Sequence, residues 1–256
     1  VTGTVTSTGT SVFASLDISG DIDVDGTTNL DVVDVDGAVN FAADVTFATG
    51  ADIITASAGT SNTRVGVNAG DAIVSGGNYN VFVGDESGTA TTTGDGNVGV
   101  GYSALATNIS GLYNTAVGYN ALNSNTATAN TAVGYNALLL NAAGSENTAV
   151  GYLSLDANTT GNYNTALGRD SLSGNTTANH NTAIGRLSLF TNSTGANNTA
   201  VGSSSLQYST TASDNTAVGY NTLVTNTTGH SNVAMGADAL DANTEGAANT
   251  SLGKGS

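Results

Sequence analysis

Three carboxylates, Asp21, Asp23 and Asp25, alternate with Ile22 and Val24 in a D-I-D-V-D-G run. That run matches the opening of a loop that wraps a calcium ion between two helices. The match ends there, because the twelfth position is Val32 rather than Glu and no helix is expected on either side. A calcium loop of that type is excluded. The plain reading is a solvated acidic face whose aligned carboxylates could hold Ca²⁺, the only ion the sequence offers a place for. His180 and His230 are the only histidines. Read as sharing one repeat phase three coils apart, they would stand roughly 14 Å from one another, too far to share a metal. Asp85 and Glu86 are adjacent, whereas a glycosidase needs two carboxyls facing across a cleft. There is no phosphate-binding loop, and the absence of Cys removes thiolate metal sites and disulfides. The expectation is a protein without enzymatic activity or a cofactor.

The elements that would position any such group follow from a repeat. Asn followed four residues later by Gly occurs twelve times, from Asn62/Gly66 to Asn249/Gly253. The glycines are spaced 18, 17, 17 and 16 residues apart and then 17 residues apart seven times. The consensus is N-T-A-V-G-Y-N-A-L-x-x-N-T-T-G-x-x. A unit this short cannot hold a helix pair, and Thr, Val, Asn and Gly are poor helix formers. One such unit buries too little to fold alone, so neighbours must stack. The sequence therefore predicts an all-β fold. It is a β-solenoid, or β-roll, of about twelve 17-residue coils over residues 62–256, forming a rod of roughly 55–60 Å. Residues 1–61 lack the unit and read as a β-rich acidic segment, with D-V-D-G repeated at Asp23–Gly26 and Asp34–Gly37.

Within each unit the residue after Asn is Thr or Val, and two further on comes Val, Ile, Leu or Met. These two share one face of a strand. The site between them is usually Ala but also holds Arg64 and Phe82. A site that accepts Arg reads as outward, which would turn Thr and Val into the coil. The outward row Ala116, Ala132, Ala149, Ala166, Ala183, Ala200 and Ala217 would then be the seam of a homotrimer. A Leu four residues after each Gly, Leu105 to Leu240, reads as the anchor of a second short strand.

Stacking converts repeat positions into ladders. Asn114, Asn130, Asn147, Asn164, Asn181, Asn198, Asn215 and Asn232 form one whose amides can hydrogen-bond their neighbours above and below. A second Asn ladder runs from Asn108 to Asn243. Tyr102, Tyr119, Tyr135, Tyr152 and Tyr220 form an aromatic ladder, interrupted by Arg169, Arg186 and Ser203. Its tyrosines read either as packing at the surface or at a subunit seam, or as contacts for a host glycan.

Charge narrows the partners. The net charge is −16 and there are only four Lys and Arg. Binding to nucleic acid needs a basic surface, and anionic membranes repel such a chain. No apolar run reaches the ~20 residues of a spanning helix, so neither nucleic acid nor membrane insertion is expected.

The units N-T-A-V-G-Y-N-A-L and N-T-T-G-x-x-N-T-A-L-G resemble repeat arrays of bacteriophage tail-fibre and tail-spike proteins. The segment D-I-S-G-D-I-D-V-D-G-T-T-N-L-D-V resembles segments of the same proteins. A related resemblance is to the left-handed β-roll heads of trimeric autotransporter adhesins, whose N-S-V-A-I-G unit is about three residues shorter per coil. Together these resemblances cover residues 17–47 and 62–256. They imply a homotrimeric, extracellular or virion-borne structural protein that forms part of a longer chain. The expected function is the shaft of a tail fibre that positions a receptor-binding tip. The alternatives are adhesion to host glycans or surfaces through the solenoid itself and, ranked lower because Thr is read as inward, binding to ice.

Overall fold

The computed structural model describes residues 58–256. The acidic segment 1–61, apart from its last four residues, lies outside the described residues, and so do Asp21, Asp23 and Asp25. The described part is all-β, with twelve strands of three residues each, from β1 (Thr63–Val65) to β12 (Thr250–Leu252). Each strand pairs in parallel with the one a coil before and the one a coil after, giving a single sheet in strict sequence order. The register is residue for residue, as in Thr148↔Thr165, Ala149↔Ala166 and Val150↔Leu167. This is a parallel β-solenoid of about eleven turns.

The strands run opposite to the inward and outward assignment expected from sequence. Ala116, Ala132, Ala149, Ala166, Ala183, Ala200, Ala217 and Ala234 are wholly buried, while Thr and Val on either side of them reach solvent. The cause is space. The coil is narrow, and the Leu from the opposite wall fills it, so the strand can contribute only a methyl group. Leu105, Leu122, Leu138, Leu155, Leu172, Leu189, Leu206 and Leu223 are fully buried against those alanines.

The two large residues at this site, Phe82 and Arg64, of which Arg64 makes it read as outward, are special cases. Phe82 is fully buried, and its coil carries Gly88 where the coils from Leu105 to Leu240 carry Leu. A Cβ on Gly88 would strike the Phe82 ring. Volume has been exchanged between facing positions, a swap that cores tolerate. Arg64 sits in the first described coil, half-buried. Its Nε donates to the Ala69 carbonyl at 2.7 Å, and its guanidinium lies 3.5 Å from the Asp71 carboxylate.

The Leu-bearing wall is not the second strand that was expected. It is a chain of turns in which the Leu residues adopt left-handed φ, for example 50° at Leu122 and 53° at Leu155. This conformation costs an L-residue about 1–2 kcal/mol, and burial of the Leu side chain offsets it by about 1.5–3 kcal/mol. At the corner after each strand the backbone demands glycine. Gly168 has φ 137°, and a Cβ there would come within 2.7 Å of the Gly185 carbonyl in the next coil.

Candidate functional surface

Inside the coil, both Asn ladders are hydrogen-bonded networks. The Asn181 backbone N–H donates to Asn164 Oδ1 at 3.0 Å, and Asn164 Nδ2 donates to the Ala178 carbonyl at 2.8 Å. The same pattern links Asn114 to Asn130, Asn130 to Asn147, Asn198 to Asn215 and Asn215 to Asn232. Each amide thereby satisfies backbone groups that the corner would otherwise bury unpaired, which polar burial requires. In the second ladder Asn158 Nδ2 donates to Asn141 Oδ1 at 2.7 Å and Asn175 Nδ2 to Asn158 Oδ1 at 2.8 Å. These groups are enclosed and offer nothing to a ligand.

Chemistry available to a partner lies on the outside of the strands. Each rung of that face presents a Thr or Val and then an aliphatic residue, bordered by one residue before the inner Asn and one after the corner Gly. Rung by rung, the outward rows include Thr115, Thr131, Thr148 and Thr165 beside Val117, Val133, Val150 and Leu167, with Leu167 46% exposed. The hydroxyls of Thr165, Thr182 and Thr199 bond to no group among the described residues. Threonines at the far corner differ: Thr159 Oγ1 donates to the Thr176 carbonyl at 2.9 Å, and Thr176 Oγ1 to the Ser193 carbonyl at 3.2 Å.

The tyrosines line the border after the corner glycine. Tyr102, Tyr119, Tyr135 and Tyr152 stack in sequence, with ring centroids 5.1, 5.4 and 5.2 Å apart and interplanar angles of 11–19°. Arg169 continues the stack, its guanidinium carbon 5.6 Å from the Tyr152 centroid, and also pairs with Asp170 at 3.1 Å. The ring faces are thus turned to one another along the rod. What solvent meets is a row of ring edges and phenolic oxygens. A sugar lying on this ladder would meet hydroxyls and edges rather than the π-faces on which sugars stack. Tyr220 stands apart from the stack and is exposed.

The opposite border carries Tyr79, Tyr113, Glu146, Tyr163, His180 and Asp214, in the left-handed conformation with φ 57–61°. His180 stacks on Tyr163 with ring centroids 4.9 Å apart and planes nearly parallel. His230 lies one residue out of phase with it: Ser231 takes the border position aligned with His180, and His230 contacts that serine's hydroxyl at 3.3 Å. The two histidines therefore do not share a ladder. Among the described residues no cluster of His, Cys, Asp or Glu could hold a metal ion, and no helix is long and apolar enough to cross a membrane.

One carboxyl has a perturbed affinity for protons. Burial raises Asp156 above its usual 3.8, and the hydroxyl of Ser173, donating to Oδ1 at 2.6 Å, opposes the rise. It lies on the Leu-bearing wall, away from the strand face, and has no partner suited to catalysis.

No known family model matches this chain, and no curated protein or solved structure matches it. Sequence reasoning had marked the Tyr ladder but missed the border facing it and the outward Thr row. The signal was present: the site between Thr and Val is restricted to small residues except where a facing Gly makes room, as at Phe82 and Gly88.

Proposed function

We propose that this chain is the structural shaft of an extracellular fibre, a homotrimeric bacteriophage tail fibre that carries a receptor-binding tip. The observation that supports this reading is uniformity. Every strand pairing is parallel and in one register from β1 to β12, with no break at which a localised site is built. A rod whose coils are interchangeable sets distance and stiffness rather than performing chemistry. The repeat units' resemblance to tail-fibre arrays points the same way. Cryo-electron microscopy without imposed symmetry tests it. A rod with three-fold symmetry, a ~4.8 Å axial repeat and a twelve-rung section spanning about 53 Å is expected. A persistently monomeric rod would sink the reading.

A second reading, attachment to an ordered surface such as ice, is favoured by one observation. The Thr row faces outward with unengaged hydroxyls at a fixed spacing. The tyrosine borders count against it, because their longer side chains stand beside the Thr/Val rows. Absence of thermal hysteresis in the purified protein would remove the ice reading.

A further inference from the structure

The strand face carries little net charge in a chain that is acidic overall. Its borders carry three acids, Asp85, Glu146 and Asp214, and three cations, Arg169, Arg186 and Lys254, which cancel, while the whole chain carries −16. The floor between them is uncharged and rich in exposed Val, Leu and Met. Exposed Tyr, Met and Arg on such a patch is the composition of a protein–protein interface.

The two borders differ in sequence, and on eight of the twelve rungs they complement one another in charge, hydrogen bonding or size. Tyr79 shares its rung with Asp85, Glu146 with Tyr152, and Asp214 with Tyr220. Every border acid is therefore matched to a phenol that can donate to it. Both arginines are matched to an aromatic ring: Tyr163 with Arg169, and His180 with Arg186. Where the leading border is smallest, at Gly96, Ala129 and Ala248, the trailing border is the long Tyr102, Tyr135 or Lys254. No rung pairs two like charges.

Within one chain these partners lie at opposite sides of the face, six residues apart. Near-extended chain of that length spans about 15–20 Å. They can meet only between copies. We propose that the outward strand face is the interface between copies of this chain, which lie parallel and level around an axis along the rod. The leading border of each copy then meets the trailing border of the next. Any cyclic arrangement about such an axis brings unlike borders together. An antiparallel pair would instead bring like borders together, setting the Arg169 and Arg186 ladder against its own counterpart. The buried alanines are not the seam. The fibre reading enters only in fixing the number of copies at three.

The chain has no cysteine, so introduced thiols report cleanly. The test uses the full chain carrying Glu146→Cys, Tyr152→Cys or both, treated with a short bis-maleimide, with wild-type mass measured by light scattering. The expected result is an oligomer in which the double variant links into a closed covalent multimer and each single variant stays unlinked on a denaturing gel. Linking by the single variants means that like borders meet. No linking in an oligomer means that the seam is elsewhere. Either outcome overturns the proposed interface and leaves the fibre reading standing. A wild-type monomer overturns both.

Discussion

At the scale of a single residue, the buried amides carry the largest stakes. Removing the Asn164 side chain leaves the Asn181 N–H without its acceptor and takes one of two donors from the Ala178 carbonyl, which keeps Asn175 Nδ2. An orphaned buried group costs about 1–3 kcal/mol, so Asn164→Ala should destabilise its coil by about that amount. Hydrogen exchange is the suitable measurement, because it locates the loss in that coil and its neighbours. The reverse experiment is available at Ser209, which stands where the second ladder has Asn. Asn192 Oδ1 and Ser209 Oγ are both buried and unpartnered there. Ser209→Asn would complete the ladder, and a gain of about 1 kcal/mol in denaturant unfolding is expected. A loss would show that the gap has closed around serine. Asp156 supplies the pH dependence. Its folded pKa is raised, so the folded state holds its proton more tightly than the unfolded chain. The contribution to stability is therefore greatest at low pH and falls as pH rises from about 3.8 through the folded value. Asp156→Asn should be more stable than wild type at pH 7 and indistinguishable from it below about pH 3 in paired thermal melts; Asn123 already occupies the equivalent position.

At the scale of the coil, the exchange of volume between Phe82 and Gly88 predicts strong coupling. Phe82→Ala should cost about 3–5 kcal/mol through the cavity it leaves. Gly88→Leu alone should overpack, because its side chain would enter the Phe82 ring. The double variant restores the consensus pairing, and Gly88 already has φ 59°, close to the 48–57° of the ladder leucines. Recovery of most of the loss in a double-mutant cycle is expected, and additive losses would refute the exchange. This pair also shows what the sequence made legible. The coil length, the β character and the ladders followed from the twelve Asn/Gly pairs, because a fixed period leaves no other architecture. The inward face did not follow, because alternation in a three-residue strand says which residues share a side and not which side is inside. Arg64, an exception with a local compensation, tips that choice the wrong way. The left-handed Leu wall was illegible too: nothing in local propensity places Leu at positive φ, and only burial imposes it.

At the scale of the molecule, stability should be close to a sum over coils and their interfaces. Interchangeable units can then be removed whole. Excision of residues 164–180, one 17-residue coil, joins Tyr163 to Asn181 and keeps every ladder in phase. The deletion also leaves Tyr163 bordering the rung of Arg186, so an aromatic ring still faces the arginine across a cyclic seam. The shortened chain should fold, lose about 4.8 Å of rod, and retain the oligomeric state of the parent. Excision of eight residues from the same coil, 164–171, should not be tolerated. It places Tyr163 before Leu172, deletes the strand and its corner glycine, and sets a coil remnant of nine residues between full coils. Circular dichroism and light scattering on the two deletions separate the outcomes. If both fold equally well, the coils are not the cooperative unit and the shaft reading loses its physical basis. If only the whole-coil deletion folds and still assembles, the chain behaves as a rod whose length is set by counting repeats.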